Sequence, residues 1–188
     1  MNKAMIDEKA LLQAARAHQR EALIAIYDAF QAQIYAYAYR TLLDVDLAED
    51  CTAATFHRLL EALEKGKGPA EHLRAYLYRI AHNWMMDHFR KAKRTVPQAE
   101  PLNENDADEN PLPNEMVMQQ QTSAELQEQL KQLTAEQREV IILRFVEDYS
   151  LNETAQIINK PTGAVKSLQN RALTNLRKHY LPKDQDAI

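Results

Sequence analysis

The chain has 188 residues, 45% hydrophobic and 27% charged, a length that accommodates one medium domain or two small ones with buried cores. A single cysteine, Cys51, excludes an internal disulfide and a cysteine-based metal cage, and no apolar run approaches the ~20 residues that cross a bilayer. The net charge of −4 would exclude a nucleic-acid partner only if it were evenly spread, and it is not: residues 97–124 hold six of the 27 acids and no Lys or Arg, so the rest of the chain is slightly basic.

Glycine is scarce and Ala, Leu, Gln, Glu and Arg are abundant, which favours helix throughout. The N-terminus lacks the uninterrupted apolar core of a signal peptide, so the expected location is the cytoplasm, without membrane insertion. A short helix is expected over residues 7–17. A long one follows over 19–43, with Leu23, Ile26, Tyr27, Phe30, Ile34 and Tyr37 at helical spacing. "IYAYAYR" alternates like a strand, but it is short, Ala-rich and set inside a helical pattern, so helix is expected. A third helix spans 46–64 and ends at "EKGKGP"; a fourth spans about 70–93.

The fourth helix has three faces. Leu73, Tyr76, Leu77, Ile80 and Trp84 form an apolar stripe, with Tyr76 and Trp84 expected in a helical bundle core. Arg79, Asn83 and Arg90 form a polar stripe. Tyr78, His82, Met85 and Phe89 form a third, partly aromatic face; basic residues beside aromatics can hold unstacked bases of a single strand. Arg90, Lys91, Lys93 and Arg94 make a basic cluster at its end.

"VPQAEPLNENDADENPLPNE" carries four prolines, many Asn, Asp and Glu, and few large apolar groups. It cannot bury enough apolar surface to offset ordering and is expected to be a flexible acidic linker. The expected organisation is therefore all-α: two small helical domains, residues 1–95 and 122–183, joined by a linker over 96–121 and followed by a tail over 184–188.

The second half carries two capping boxes, Thr134-x-x-Gln137 before "REVIILRFVED" and Ser150-x-x-Glu153 opening "LNETAQII". Asn159-Lys160-Pro161 breaks the helical pattern, with proline expected to stop the helix. Thr162 is expected to cap a last helix running to about His179, with Pro182 beyond it. Two helices joined by so short a turn are a helix-turn-helix. On the last helix Val165, Leu168, Ala172 and Leu176 form a core stripe. Lys166, Ser167, Asn170, Arg171, Thr174, Arg177 and Lys178 face the other way with no acid among them, a surface suited to phosphates and base edges in a major groove. Backbone amides at 162–164 add a phosphate site.

Taken in order, "REALIAIYDAFQAQIYAYAYR", "DLAEDCTAATFHRLLEAL" and "LRAYLYRIAHNWMMDHFRK", then "LTAEQREVIILRFVEDYSLNETAQIINKPTGAVKSLQNRALTNLRK", resemble regions 2 and 4 of the extracytoplasmic-function (ECF) branch of the bacterial sigma-70 family. The resemblance implies a region 2 helical bundle and a region 4 helix-turn-helix in a sigma factor that directs core RNA polymerase to promoters and promotes DNA opening, not an enzyme and without cofactor or metal. It implies that Ala48, Glu49, Asp50, Thr55, Phe56 and Leu59 contact the β′ clamp helices of core polymerase. Arg79, Asn83, Asp87, Arg90 and Lys91, with Arg94 in the same cluster, are the implied residues for the −10 element. Region 4 is implied to bind the β flap and to read the −35 element, through Thr162, Lys166, Ser167, Asn170 and Arg171 with Arg177 and Lys178, while Arg144 matches a position near the DNA backbone. Promoter DNA and an anti-sigma factor are further implied partners.

The sequence departs from the family where "KSLQNRA" stands for the common "KSRLHRA", putting Leu168 on the core stripe in place of an Arg. A stand-alone helix-turn-helix regulator would account for the second half but leaves the first unexplained. A metal protein built on His57, His72, His82 and His88 has little support, since His82 and His88 do not share a helix face and no HExxH motif occurs.

Overall fold

In the computed structural model, residues 8–95 and 126–180 are described, with side chains for 8–92 and 126–178. The expected acidic linker and the tail lie outside the described residues. All regular structure among the described residues is helical. The chain divides into two compact units.

The first unit is built on α1 (Glu8–Arg16), α2 (Arg20–Leu42), α3 (Val45–Glu64) and α4 (Leu73–Thr95). In α1, Leu12 and Ala15 are buried one turn apart. The helix ends at His18, whose φ of 57° is left-handed, and the Gln19 amide reaches back to the Ala14 carbonyl at 3.1 Å. In α2 the buried positions Ala22, Ile26, Ile34, Tyr37, Ala38 and Thr41, with half-buried Phe30 between Ile26 and Ile34, follow a helical stripe, and "IYAYAYR" lies in that helix. Tyr27, at helical spacing with these, is instead exposed.

The buried strip of α3 is Ala48, Cys51, Thr52, Thr55, Phe56, Leu59 and Leu63. Its two threonines cost little to bury because each hydroxyl donates to its own helix, Thr52 to the Ala48 carbonyl and Thr55 to the Cys51 carbonyl, both at 2.7 Å. Gly66, at φ 65°, closes the helix end, where the Lys67 amide donates to the Ala62 carbonyl at 2.8 Å. The Glu8 carboxylate of α1 then accepts from the Leu73 amide at 2.6 Å, satisfying one of the orphan donors at the start of α4.

On α4 the core face differs from the expected one. Leu73, Leu77, Tyr78, Ala81, His82 and Met85 are buried, while Tyr76, Ile80 and Trp84 are only half-buried. Tyr78 stacks obliquely on Tyr37 of α2 at 4.8 Å between ring centroids, and the Cys51 thiol of α3 lies 3.8 Å from the Ala81 carbonyl. These partners on two neighbouring helices take the face that periodicity alone had offered to single-stranded bases.

The second unit comprises α5 (described over 126–131), α6 (Ala135–Ile141) running into a π turn (Ile142–Val146), α7 (Leu151–Ile157) and α8 (Thr162–Tyr180). Both capping boxes form. Thr134 Oγ1 accepts from the Gln137 amide at 3.4 Å and Ser150 Oγ from the Glu153 amide at 3.2 Å, with reciprocal bonds of 3.3 and 2.7 Å. The core joins Leu130, Leu133, Val140, Ile142, Leu143, Ile157, Ile158, Val165, Leu168 and Ala172. Arg138 is buried beside it and satisfied in part by the carbonyls of Leu130 (2.9 Å) and Leu133 (3.1 Å), which lie at and just beyond the end of α5.

Candidate nucleic-acid interface

The interruption between α7 and α8 is made by Asn159. Its φ of 49° is left-handed, and the Lys160 amide returns to the Ala155 carbonyl at 3.0 Å. This is a Schellman-type stop at asparagine, one of the few residues that tolerates that conformation. The proline effect expected from the sequence comes one step too late to end the helix. Thr162 is likewise not the cap: it is the first helical residue, and the Pro161 carbonyl accepts from the Ala164 and Val165 amides at 2.9 and 3.2 Å. Lys160 is tied to Glu136 of α6 at 3.0 Å.

At about 100° per residue, α8 presents two adjacent rows away from its core stripe. One holds Lys166, Asn170 and Arg177; the other holds Ser167, Arg171, Thr174 and Lys178. All seven are exposed, and α8 has no acid. Within the second row the hydroxyls are engaged along their own helix: Ser167 donates to the Gly163 carbonyl (3.0 Å) and Thr174 to the Asn170 carbonyl (2.9 Å), while Arg171 Nε reaches the Ser167 carbonyl at 3.3 Å. A groove ligand therefore meets cations and one amide first, with hydroxyl oxygens offered mainly as acceptors. Val165, Leu168 and Ala172 are buried and Leu176 half-buried, as the spacing predicts.

Arg144 stands apart from these rows. It is half-buried; its Nε donates to Gln169 Oε1 of α8 at 3.2 Å and its Nη1 to the Tyr149 carbonyl.

In the first unit, Arg79, Asn83 and Arg90 are exposed along one side of α4, and Lys91 is exposed beside them. Asp87 is half-buried and bonded to Arg90 at 2.8 Å, so the two charges partly neutralise each other. The Arg94 side chain lies outside the described residues. Sequence reasoning missed an aromatic group on other faces of the same helix. Trp84 stacks on His88 at 5.7 Å and 11° between planes, and Phe89 meets His88 edge-on at 6.3 Å. All three are half-buried. Their spacing of four and one was legible, but Trp84 had been placed in the core on hydrophobicity.

The polymerase-facing set divides. Ala48, Thr55, Phe56 and Leu59 are buried in the unit's own core, whereas Glu49 and Asp50 are exposed. Large apolar side chains are also exposed on α2 and α3: Ile24 (49% exposed), Tyr27 (48%) and Leu60 (41%). The Phe56 ring centroid lies 4.9 Å from that of Tyr27. Nearby on α2, burial, then Glu49 and Tyr39, raise the Tyr35 phenol above its ordinary pKa, keeping it a neutral donor. Among the described residues, no three His, Cys, Asp or Glu side chains converge as a metal site, and no helix is long and apolar enough to cross a membrane.

The first unit, with exposed cations on α4, thus stands in one chain with a helix-turn-helix whose last helix carries an exposed, acid-free face, a combination found in DNA-binding proteins. Residues 26–95 match the family described as Sigma-70 region 2, and residues 129–178 match Sigma-70, region 4. The chain is 31% identical over 176 residues to the ECF RNA polymerase sigma factor BldN of Streptomyces coelicolor, covering 93% of this chain and 66% of that one. It is 30% identical to the ECF sigma factors SigX and SigW of Bacillus subtilis, covering 81% and 96% of their lengths. Two solved structures share the fold: the sigma factor RpoE of Bartonella quintana in complex with the anti-sigma factor NepR (TM-score 0.63, 23% identity, 86% of this chain and 97% of that one), and CnrH in complex with the cytosolic domain of CnrY (0.66, 22%, 96% and 99%). The chain belongs to the ECF branch of the sigma-70 family.

Proposed function

We propose that this sigma factor divides its work between the two surfaces just described. The exposed rows of α8 dock in the major groove of the −35 element. Asn170 and the long cations supply base-edge and phosphate contacts, and the α8 N-terminal amides hold a phosphate. Arg79, Asn83, Arg90 and Lys91 of α4 meet the −10 element, with the Trp84–His88–Phe89 group able to stack on a base that leaves the duplex. Unstacking costs a few kcal/mol per base, which binding to polymerase and DNA must offset, because no phosphate-binding loop for nucleotide hydrolysis occurs in the sequence.

Residues 1–95 then act as region 2, 122–183 as region 4 and 96–121 as the acidic linker. Core polymerase contacts the first unit through exposed acids, Glu49 and Asp50, and exposed apolar side chains, Ile24, Tyr27 and Leu60, a mix that suits a helical partner. The β flap binds the second unit, and an anti-sigma factor is a further partner, in line with the NepR complex of one structural neighbour. The protein acts in the cytoplasm and performs no catalysis of its own.

The observation that carries this reading is the acid-free, exposed double row on α8 in the same chain as a region 2 unit. Run-off transcription with bacterial core polymerase on a genomic fragment library tests it. Promoter-specific transcripts should require the protein and fall sharply with Asn83→Ala or Arg171→Ala. Duplex binding without any stimulation of core would instead establish a regulator that works without polymerase.

A further inference from the structure

Arg144 sits where the resemblance implies a backbone contact, yet its guanidinium is occupied inside the unit. It projects from the π turn that ends α6, an irregular segment where the Glu147 amide reaches the Ile142 carbonyl, five residues back, at 3.0 Å. π turns shift the register of the side chains that follow and often coincide with functional positions. Here the shift lets one side chain bridge two elements: the Tyr149 carbonyl, just before the Ser150 cap of α7, and Gln169 Oε1 on α8. Gln169 is half-buried at the margin between the core stripe and the Lys166–Asn170–Arg177 row, adjacent in sequence to Asn170. A bond at that margin opposes rolling of α8 about its own axis, and rolling would swing both rows relative to a groove. The apolar stripe resists it only weakly, since small rolls keep Val165 and Ala172 buried.

We propose that Arg144 is a positioning residue for the −35 reader, acting through Gln169 to set the roll of α8, and that it is not a phosphate contact. The proposal rests on the reading of α8 as the −35 helix. It explains why an arginine is used: a planar guanidinium holds two acceptors at fixed angles, which a lysine ammonium on a flexible stem cannot do.

The test uses holoenzyme reconstituted from core polymerase and full-length protein, measuring affinity for promoters with single −35 substitutions across a range of salt. Arg144→Lys, Arg144→Ala and Gln169→Ala should each change the preference between −35 sequences by about tenfold or more, the effect expected for a lost bond to a charged group. The double variant should be no worse than either single one. Gln169→Glu, which keeps an acceptor, should retain the wild-type ratio, and that rescue separates positioning from general unfolding. The dependence of log affinity on log salt should stay as in wild type. The proposal falls if Arg144→Ala weakens all −35 sequences equally and lowers the salt slope by about one contact, with Arg144→Lys near wild type and Gln169→Ala silent. A wild-type holoenzyme indifferent to every −35 substitution would remove the promoter reading itself, a result distinct from loss of the Arg144 role alone.

Discussion

Removing the Ser150 hydroxyl should loosen the whole helix-turn-helix although it touches no DNA-facing residue. α7 has seven residues, too short to persist without its cap and its packing. Ser150→Ala deletes the 3.2 Å bond from the Glu153 amide and leaves Glu153, bonded to the Ser150 amide at 2.7 Å, without the hydroxyl that completes the box. An N-cap serine contributes about 1 kcal/mol; the reciprocal carboxylate bond is exposed and adds at most a few tenths. For a unit of this size, a loss of about 1 kcal/mol lowers the midpoint by roughly 4–8 °C. Thermal unfolding followed by circular dichroism measures this, with Ser150→Thr as the restoring control. The longer bonds of the other box, 3.4 and 3.3 Å, predict a smaller shift for Thr134→Ala. A Ser150→Ala midpoint within 1 °C of wild type, or a larger effect at Thr134, would refute the cap reasoning.

Lys178→Ala should weaken promoter binding about equally across −35 sequences and reduce the salt slope by about one, read by titration at several ionic strengths. Tyr78→Ala should destabilise the first unit by about 3–5 kcal/mol, because it empties a fully buried site against Tyr37. Trp84→Ala should cost clearly less in thermal unfolding while slowing promoter opening measured by permanganate footprinting; equal destabilisation by the two changes would contradict the assignment of faces on α4. Leu60→Asp should reduce affinity for core polymerase at least tenfold in a competition assay while leaving the helical content unchanged, and undiminished core binding would remove Leu60 from the contact surface.

The all-α class, the four helices of the first unit, both capping boxes and the core stripe of α8 were legible in the sequence, whereas α5 over 126–131 was not expected. Each legible feature is dictated by local chemistry: 3.6-residue periodicity, hydroxyl and carboxylate three residues apart, scarce glycine. The acid-free face of α8 was equally plain, since its surroundings leave only one stripe to bury. Three features were decided by tertiary packing. α4 carries enough apolar and aromatic residues for two possible buried faces, and the positions of Tyr37 and Cys51 on neighbouring helices selected Tyr78, Ala81 and Met85 over Trp84. On α3, motif matching picked out Ala48, Thr55, Phe56 and Leu59 with Glu49 and Asp50, but a motif mixes residues that build a surface with residues that present it. Only burial separates the two, and it leaves Ile24, Tyr27 and Leu60 as the exposed apolar side chains proposed for the contact. Arg144 shows the same limit for a charge. Its sequence position is compatible with a phosphate contact, whereas the π turn directs its guanidinium to Gln169 and the Tyr149 carbonyl. Local pattern determines which elements form because hydrogen bonding and periodicity act over a few residues; which face an element presents depends on partners far along the chain.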